Sequence, residues 1–300
     1  MENKYNFSST FRLANIFSLI IFVISVIFIL FKGLNYGIDF KGGTLIELRS
    51  NNTDATAIRS LLSNMNLGDV NVKKFGQEGD YLIKVEQKTN NDNTIIPKIK
   101  KNLSENLNTE INFRRVENVG PKVSSELLQS GIIAITLSLA AMLFYIWIRF
   151  EWQFSIGSII ALFHDVIITL GIFSILSLEI NLSIIAAVLT IVGYSMNDTV
   201  VIYDRIRENL NKYNRLNISE IADLSINDTL ARTIITSATT LLALLSIFIL
   251  GGEILRGFSF AMILGVVIGT YSSIFVASPM LKFFKVTYKT LEREEEKIVP

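Results

Sequence analysis

Four ionisable residues stand where charge is costly. Asp198, Arg232, His164 and Asp165 lie inside, or at the edge of, long stretches that are otherwise uncharged. A charge at mid-bilayer costs about 2.5–3.5 kcal/mol on insertion scales, so such groups normally face a bundle interior and have a task. A carboxylate and a guanidinium that meet in a dry interior can bind and release a cation. Burial favours the neutral carboxyl, the guanidinium favours the carboxylate, and moving one against the other switches between them. Asp198 precedes Arg205 by seven residues, which at helical rise puts it on the order of 10 Å below that boundary. Arg232 opens the next apolar run from the same side, just after Asp228, so the two are expected to touch. His164, if unperturbed, titrates near neutral pH and can relay protons, although a lone helical histidine is more often structural. Asp165 points about 100° away from it on a helix, so the pair is not expected to face one site directly.

Helical spacing extends this polar interior. Thr190, Tyr194 and Asp198 recur at intervals of four, with Asn197 adjoining. Arg232, Thr236 and Thr240 share a second face, and Gly157, Ala161, Asp165 and Thr169 a third. Ala261, Gly265 and Gly269 form a small-residue ridge that lets helices approach closely. Packing alone would account for any one of these faces.

The elements that position these residues are apolar runs. Ala14 to Phe31, Leu127 to Ile148, Phe154 to Leu178, Leu182 to Tyr203, Ile234 to Leu250 and Phe258 to Leu281 are each long enough to cross about 30 Å of hydrocarbon as a helix. The first exceeds the h-region of a signal peptide and lacks an A-x-A-like site, so it reads as a retained anchor. Lys4, Arg12, Arg149, Arg205, Arg207, Lys212, Arg215, Lys282, Lys285, Lys289 and Arg293 fall at one set of span ends, which predicts both termini in the cytoplasm.

Composition agrees and excludes much else. Of 300 residues, 50% are hydrophobic and only 18% charged, against about 25% in soluble domains. The 28 basic and 27 acidic residues nearly cancel, which gives no electrostatic reason for nucleic-acid binding. Without cysteine there is no disulfide or thiolate site, and a single histidine excludes a multi-histidine metal site. No Walker phosphate loop occurs. No enzyme activity, cofactor or metal is expected. An intramembrane aspartyl protease would need Asp165 and Asp198 as its pair, and the surrounding sequence adds nothing to that reading.

The segment from about Asn35 to Glu126 is polar enough to fold in water. Strands are predicted at Thr44–Leu48, Val70–Phe75, Tyr81–Val85 and Ile111–Val116, with helices from Asp54 to Asn66 and from Asn93 to Leu107. A Gly76/Gly79 turn joins the middle strands, and the stretches near Asn51 and Asn90 read as loops. The order β-α-β-β-α-β is that of a ferredoxin-like unit, an architecture that hosts many functions. The division expected is therefore 1–34 for the N-terminal tail and first span, 35–126 for the external domain, 127–284 for spans two to six and 285–300 for the cytoplasmic tail. The fold class is a polytopic α-helical membrane protein with six transmembrane helices and a small α+β domain between the first two. The tail from Glu292 to Lys297 reads as solvated.

Five motifs, in order, resemble those of the SecD/SecF family of protein-export membrane proteins. Gly37-Ile-Asp-Phe-Lys-Gly-Gly43, containing Asp39, Phe40 and Gly42, resembles its G-x-D-F-x-G-G signature, and Val119-Gly-Pro-Lys-Val-Ser124 its V-G-P-x-V-S/G motif. Phe163-His-Asp165, Ser195-Met-Asn-Asp-Thr-Val-Val201 running on to Asn209, and Thr229-Leu-Ala-Arg-Thr233 resemble its SecF members in particular. The resemblance implies half of a resistance-nodulation-division fold in the bacterial inner membrane, partnered by SecD and the SecYEG channel and acting on exported polypeptide. It implies that proton flow drives movement of the external domain, with Asp198 as proton carrier, Arg232 as its switching partner, and Asp165 and His164 as further members of the relay. Sodium could replace the proton. The glycines at 37, 42 and 43 suit a hinge or an ordinary tight turn equally. A non-conducting scaffold for SecD is a competing reading. A small-molecule half-transporter is another, but it would need larger external domains.

Overall fold

The computed structural model describes residues 5–50, 53–65, 67–68, 70–74, 77–85, 95–107, 109, 111–213 and 215–291. The features expected at Lys4, Asn51, Asn66, Phe75, Gly76, Asn90, Asn93 and Glu292 to Lys297 lie outside these residues. In chain order, α1 (Phe11–Phe31) is followed by β1 (Asn35–Tyr36), the short α2 (Ile38–Lys41), β2 (Gly43–Ser50) and α3 (Ala55–Ser63). Then come β3 (Val70–Lys74), β4 (Asp80–Val85), α4 (Ile95–Asn106) and β5 (Ile111–Val119). The remainder is α5 (Pro121–Arg149), α6 (Trp152–Ile175), β6 (Glu179–Ile180), α7 (Leu182–Lys212), α8 (Ile218–Leu250), α9 (Gly252–Ser272), a π-helical turn (Ser273–Ala277) and α10 (Ser278–Phe283).

Among the described residues six helical segments are long and apolar enough to cross a membrane: α1, α5, α6, α7, α8 and Leu255–Phe283. Half or more of the apolar stretch is buried in α6 and α7 (56% and 50%) and in the sixth segment (56%), against 11%, 11% and 17% in α1, α5 and α8. The first three therefore make the core. α1 is inverted relative to a water-soluble helix: Ser18 and Ser25 are buried, while Leu13, Leu30 and Phe31 are exposed. Lipid is as apolar as leucine, so small polar residues make the helix contacts and large apolar ones are left outside.

The helices overrun the apolar runs that betray them. α7 continues to Lys212, and α8 starts at Ile218 with a capping box in which Asn217 and Glu220 satisfy each other's backbone N–H groups. The sixth span widens at Ser273–Ala277. Pro279 follows within the continuing helix and would clash with the carbonyl four residues back, at Phe275, which a π turn accommodates.

The chain forms two compact units. One comprises residues 1–34, 135–178 and 183–300, and the other residues 35–134 with 179–182. The second unit is built on a four-stranded antiparallel sheet of order β3-β4-β2-β5, with a register irregularity at Glu47/Leu48. Its core draws Ile46, Leu48, Val72, Ile83 and Val85 from the sheet, and Ile58, Leu62, Ile99 and Leu103 from α3 and α4. On the opposite sheet face Arg49 clasps the nearly buried Asp80 through two hydrogen bonds of 2.6 and 2.8 Å. That fork holds the Asp80 carboxyl below the usual carboxylate range, with Arg114 adding to it. Burial pushes Glu47 the other way, up, against the pull of Arg115.

Residues 179–182 belong to this unit by direct bonding. β1 pairs in parallel with β6, Gly37 N–H donates to the Ile180 carbonyl at 2.8 Å, and Glu179 forms ion pairs with Lys73 and Lys84. Asp39 Oδ2 accepts the backbone N–H of Leu182 at 2.9 Å, an acceptor for the first residue of α7. Gly42 (φ +79°) and Gly43 (φ +141°) take backbone shapes that disfavour side chains, and a Cβ on Gly42 would crowd the Val119 carbonyl at 3.3 Å.

Candidate functional site

Among the described residues, two carboxylates are buried within the spans, and each accepts from a hydroxyl group of a neighbouring helix. Asp165 of α6 is fully buried. Its Oδ2 accepts Ser195 Oγ of α7 at 2.5 Å and Ser272 Oγ of α9 at 2.7 Å, while Oδ1 lies 2.9 Å from His164 Nδ1. Asp198 of α7 is also buried, and its Oδ2 accepts Thr270 Oγ1 at 3.3 Å. Thr270 continues to Ser237 of α8 at 2.8 Å, and Ser237 to Tyr194 at 3.5 Å. Beside these, Thr199 meets Ser273 at 2.8 Å. Two carboxylates are thus held by hydroxyl donors from α7 and α9, with Ser237 of α8 behind Thr270, an arrangement able to bind a proton or a small cation.

Close helix contact makes these bonds. A Cβ on Gly269 would lie 2.9 Å from Ser195 Cβ, and one on Gly265 would meet Ile191 side-chain atoms at 2.5 and 2.8 Å. The small-residue ridge of the sixth span therefore lies directly on α7. On α6, Gly157, Ala161, Asp165 and Thr169 are all buried, as their shared face suggested.

Three expectations need correction. Asp198 and Arg232 form no ion pair, and Arg232 is exposed. Five residues separate Arg232 from the inward-facing Ser237, which puts it about 140° around α8 from that side chain. Asp228 is engaged instead by Arg205 at 2.8 Å. Second, Thr190 and Asn197 are exposed and Thr190 bonds only its own helix at Ala186, while Thr236 is half-buried and bonded to the Arg232 and Thr233 carbonyls. Steps of four overshoot a turn by about 40°, so Thr190 has drifted about 80° from Asp198. Tyr194 and Thr240, intermediate in exposure, do approach each other at 3.5 Å. Third, His164 and Asp165 do meet. Their backbone vectors diverge, but the imidazole is long enough to turn back onto the neighbouring carboxylate.

The donors Ser195, Ser237, Thr270 and Ser272 were not singled out as polar-core residues from sequence. Ser195 carried a signal, since it lies three residues before Asp198 and so on an adjoining helical face.

Membrane-length helices that turn serines and carboxylates inward and leucines outward define a polytopic helical membrane protein with a small sheet unit after its first span. Residues 99–287 match the profile described as protein export membrane protein SecD/SecF, C-terminal, and residues 27–54 match the SecD/SecF GG motif. The chain is 47% identical over 289 residues to the protein translocase subunit SecF of Rickettsia bellii, covering 95% of each. It is 45% identical over 302 residues to that of Rickettsia rickettsii, covering 98% of this chain and 97% of the relative. Among solved structures, SecDF from Thermus thermophilus, a translocon-associated membrane protein, is similar with TM-score 0.85 and 35% identity. A super-membrane-facing form of SecDF gives 0.71 and 34%. The chain covers 95% and 99% of its own length in these matches, and spans 39% and 40% of the SecDF chains. This chain belongs to the SecD/SecF family of protein-export membrane proteins.

Proposed function

We propose that the chain is an ion-coupled subunit of the Sec export machinery. In this reading it works with SecD and the SecYEG channel, without enzymatic chemistry of its own, and uses the proton or sodium gradient to draw exported, unfolded polypeptide outward late in translocation. It sits among lipids of the bacterial inner membrane with both termini cytoplasmic, and its sheet unit is a periplasmic ferredoxin-like domain. The β-α-β-β-α-β order with sheet order β3-β4-β2-β5 supports that last assignment. The translocase names of its relatives support the partners.

One observation carries the coupling. Asp165 is fully buried yet held by side chains of three helices, so it is a charge site retained at a cost in folding. A proton crossing 100 mV supplies about 2.3 kcal/mol, enough to bias two helix arrangements against each other. A second reading is favoured by the exposed Arg232. The lack of an Asp198–Arg232 ion pair in this arrangement supports a non-conducting scaffold, with Arg232 acting on Asp198 only from a distance. The test is gradient-driven export in vesicles carrying Asp165→Asn or Asp198→Asn, with sodium varied at fixed proton gradient. Each variant is expected to assemble with its partners but lose the gradient's stimulation. Full stimulation in both would leave the scaffold reading.

A further inference from the structure

Among the described residues, His164 holds a buried atom without a partner. Its side chain is 7% exposed, and its ring stacks on Phe22 of α1 with centroids 6.4 Å apart and planes within 3°. Nδ1 lies against Asp165, while Nε2 is buried and makes no hydrogen bond. Buried polar atoms are nearly always partnered, so each exception calls for an explanation.

Asp165 fixes what that atom is. Two hydroxyls converge on its Oδ2 at 2.5 and 2.7 Å, which leaves Oδ1 to His164. With Asp165 as a carboxylate, which only accepts, His164 Nδ1 carries the hydrogen and Nε2 keeps a bare lone pair. We propose that His164 Nε2 is the proton-loading atom of the membrane unit, with Asp165 as its fixed counter-ion. This rests on the ion-coupling reading and names the atom within it. On loading, the Nε2 lone pair takes a proton from hydronium; an N–H bond forms, one O–H bond breaks, and water departs. The His–Asp pair goes from net charge −1 to 0, and release reverses the step. On the packed elements, α7 carries Tyr194, Asp198, Tyr203 and a charged end from Asp204 to Lys212, and α9 carries Glu253, Arg256 and Tyr271, whose hydroxyl donates to the Ala14 carbonyl. α1 has none from Leu13 to Phe31, and Lys282 of α10 is exposed.

The chain has a single histidine, which makes the test selective. The full chain, labelled with ring-15N histidine and reconstituted in lipid bilayers, is followed by nitrogen NMR as pH is lowered. The expected spectrum at alkaline pH has one protonated nitrogen, Nδ1, and one bare nitrogen, Nε2. Acidification should protonate both, and Asp165→Asn should shift that conversion. An Nε2–H tautomer, or a ring that stays neutral at every pH at which the folded chain supports export, overturns the proposal. Loss of coupling in Asp198→Asn alongside such a permanently neutral ring sinks the histidine assignment alone. Normal coupling in Asp165→Asn and Asp198→Asn sinks the reading beneath it, whatever the ring does.

Discussion

Gly171→Ala tests whether the α1–α6 contact holds the site. Gly171 faces Ser25, and a Cβ there would overlap the serine Cβ and lie 2.7 Å from its Cα. Carbon atoms rest about 3.5–4.0 Å apart, so α1 must retreat by about 1 Å, because a backbone atom cannot rotate away. Overpacking of this kind costs about 1–3 kcal/mol, and the better helix propensity of alanine returns about 1 kcal/mol. The net expectation is a loss of up to about 2 kcal/mol. Ser25→Gly in the same chain removes the serine Cβ but leaves its Cα at 2.7 Å, so it should restore only part of it. Thermal unfolding of the four proteins of the cycle in detergent supplies the coupling energy. The retreat should also disturb the Phe22–His164 stack, because both rings ride on these two helices. A Gly171→Ala that gains the ~1 kcal/mol of helix propensity with nothing set against it, or a cycle with no coupling between the two positions, refutes the reasoning.

Two further outcomes concern the sheet unit. Asp39→Ala removes the acceptor of the Leu182 N–H and should cost about 1 kcal/mol, the usual worth of such a cap; Asp39→Asn keeps an acceptor and should lose less. Hydrogen exchange at the Leu182 amide reads both, and equal protection in wild type and Asp39→Ala would dismiss the cap. Acid should loosen the β2–β4 pairing through Asp80, whose lowered folded pKa gives stability that is present above its unfolded value of about 4 and is lost as pH falls below that. Glu47 acts with the opposite sign, because its raised folded pKa gives stability present below about 4.3 and lost as pH rises above it. The Asp80 part is read from protection factors of the β2 and β4 amides, which allow for the slower intrinsic exchange in acid: in Asp80→Asn they should already be lower near neutrality, and they should fall less on acidification than in wild type.

The spans were legible because their signal is long and single-valued: twenty apolar residues have few other homes. Their ends were not. A boundary drawn at the first charge stops at Tyr203, whereas α7 runs to Lys212 because its last turns make ion pairs such as Arg207–Glu151. The inward face of α6 was read correctly because four small or polar residues mark it. On α7 and α8, intervals of four gave only part of the face: Tyr194 and Thr240 meet, but Thr190 is exposed and Thr236 half-buried. Their hydroxyls bond their own helix carbonyls, as Thr190 does at Ala186, so exposure to lipid costs them little. The charged pair was misjudged for a related reason. Depth along two helices was read from sequence, but the rotation of each helix depends on what packs against it.

What packs against α7 is the glycine ridge of the sixth span, and that links packing to chemistry. Ser272 and Thr270 reach Asp165 and Asp198 only because Gly265 and Gly269 let the backbones of α9 and α7 close on each other. The π turn adds to this. A wider turn lowers the angle between successive residues below the usual 100°, so Ser272 and Ser273 both address the interior, one bonding Asp165 and the other Thr199. A larger residue at 265 or 269 would leave every carboxylate and hydroxyl in the chain and still withdraw the donors. The polar network is therefore specified as much by missing side chains as by those present, and a search for charged residues alone passes over half of the site.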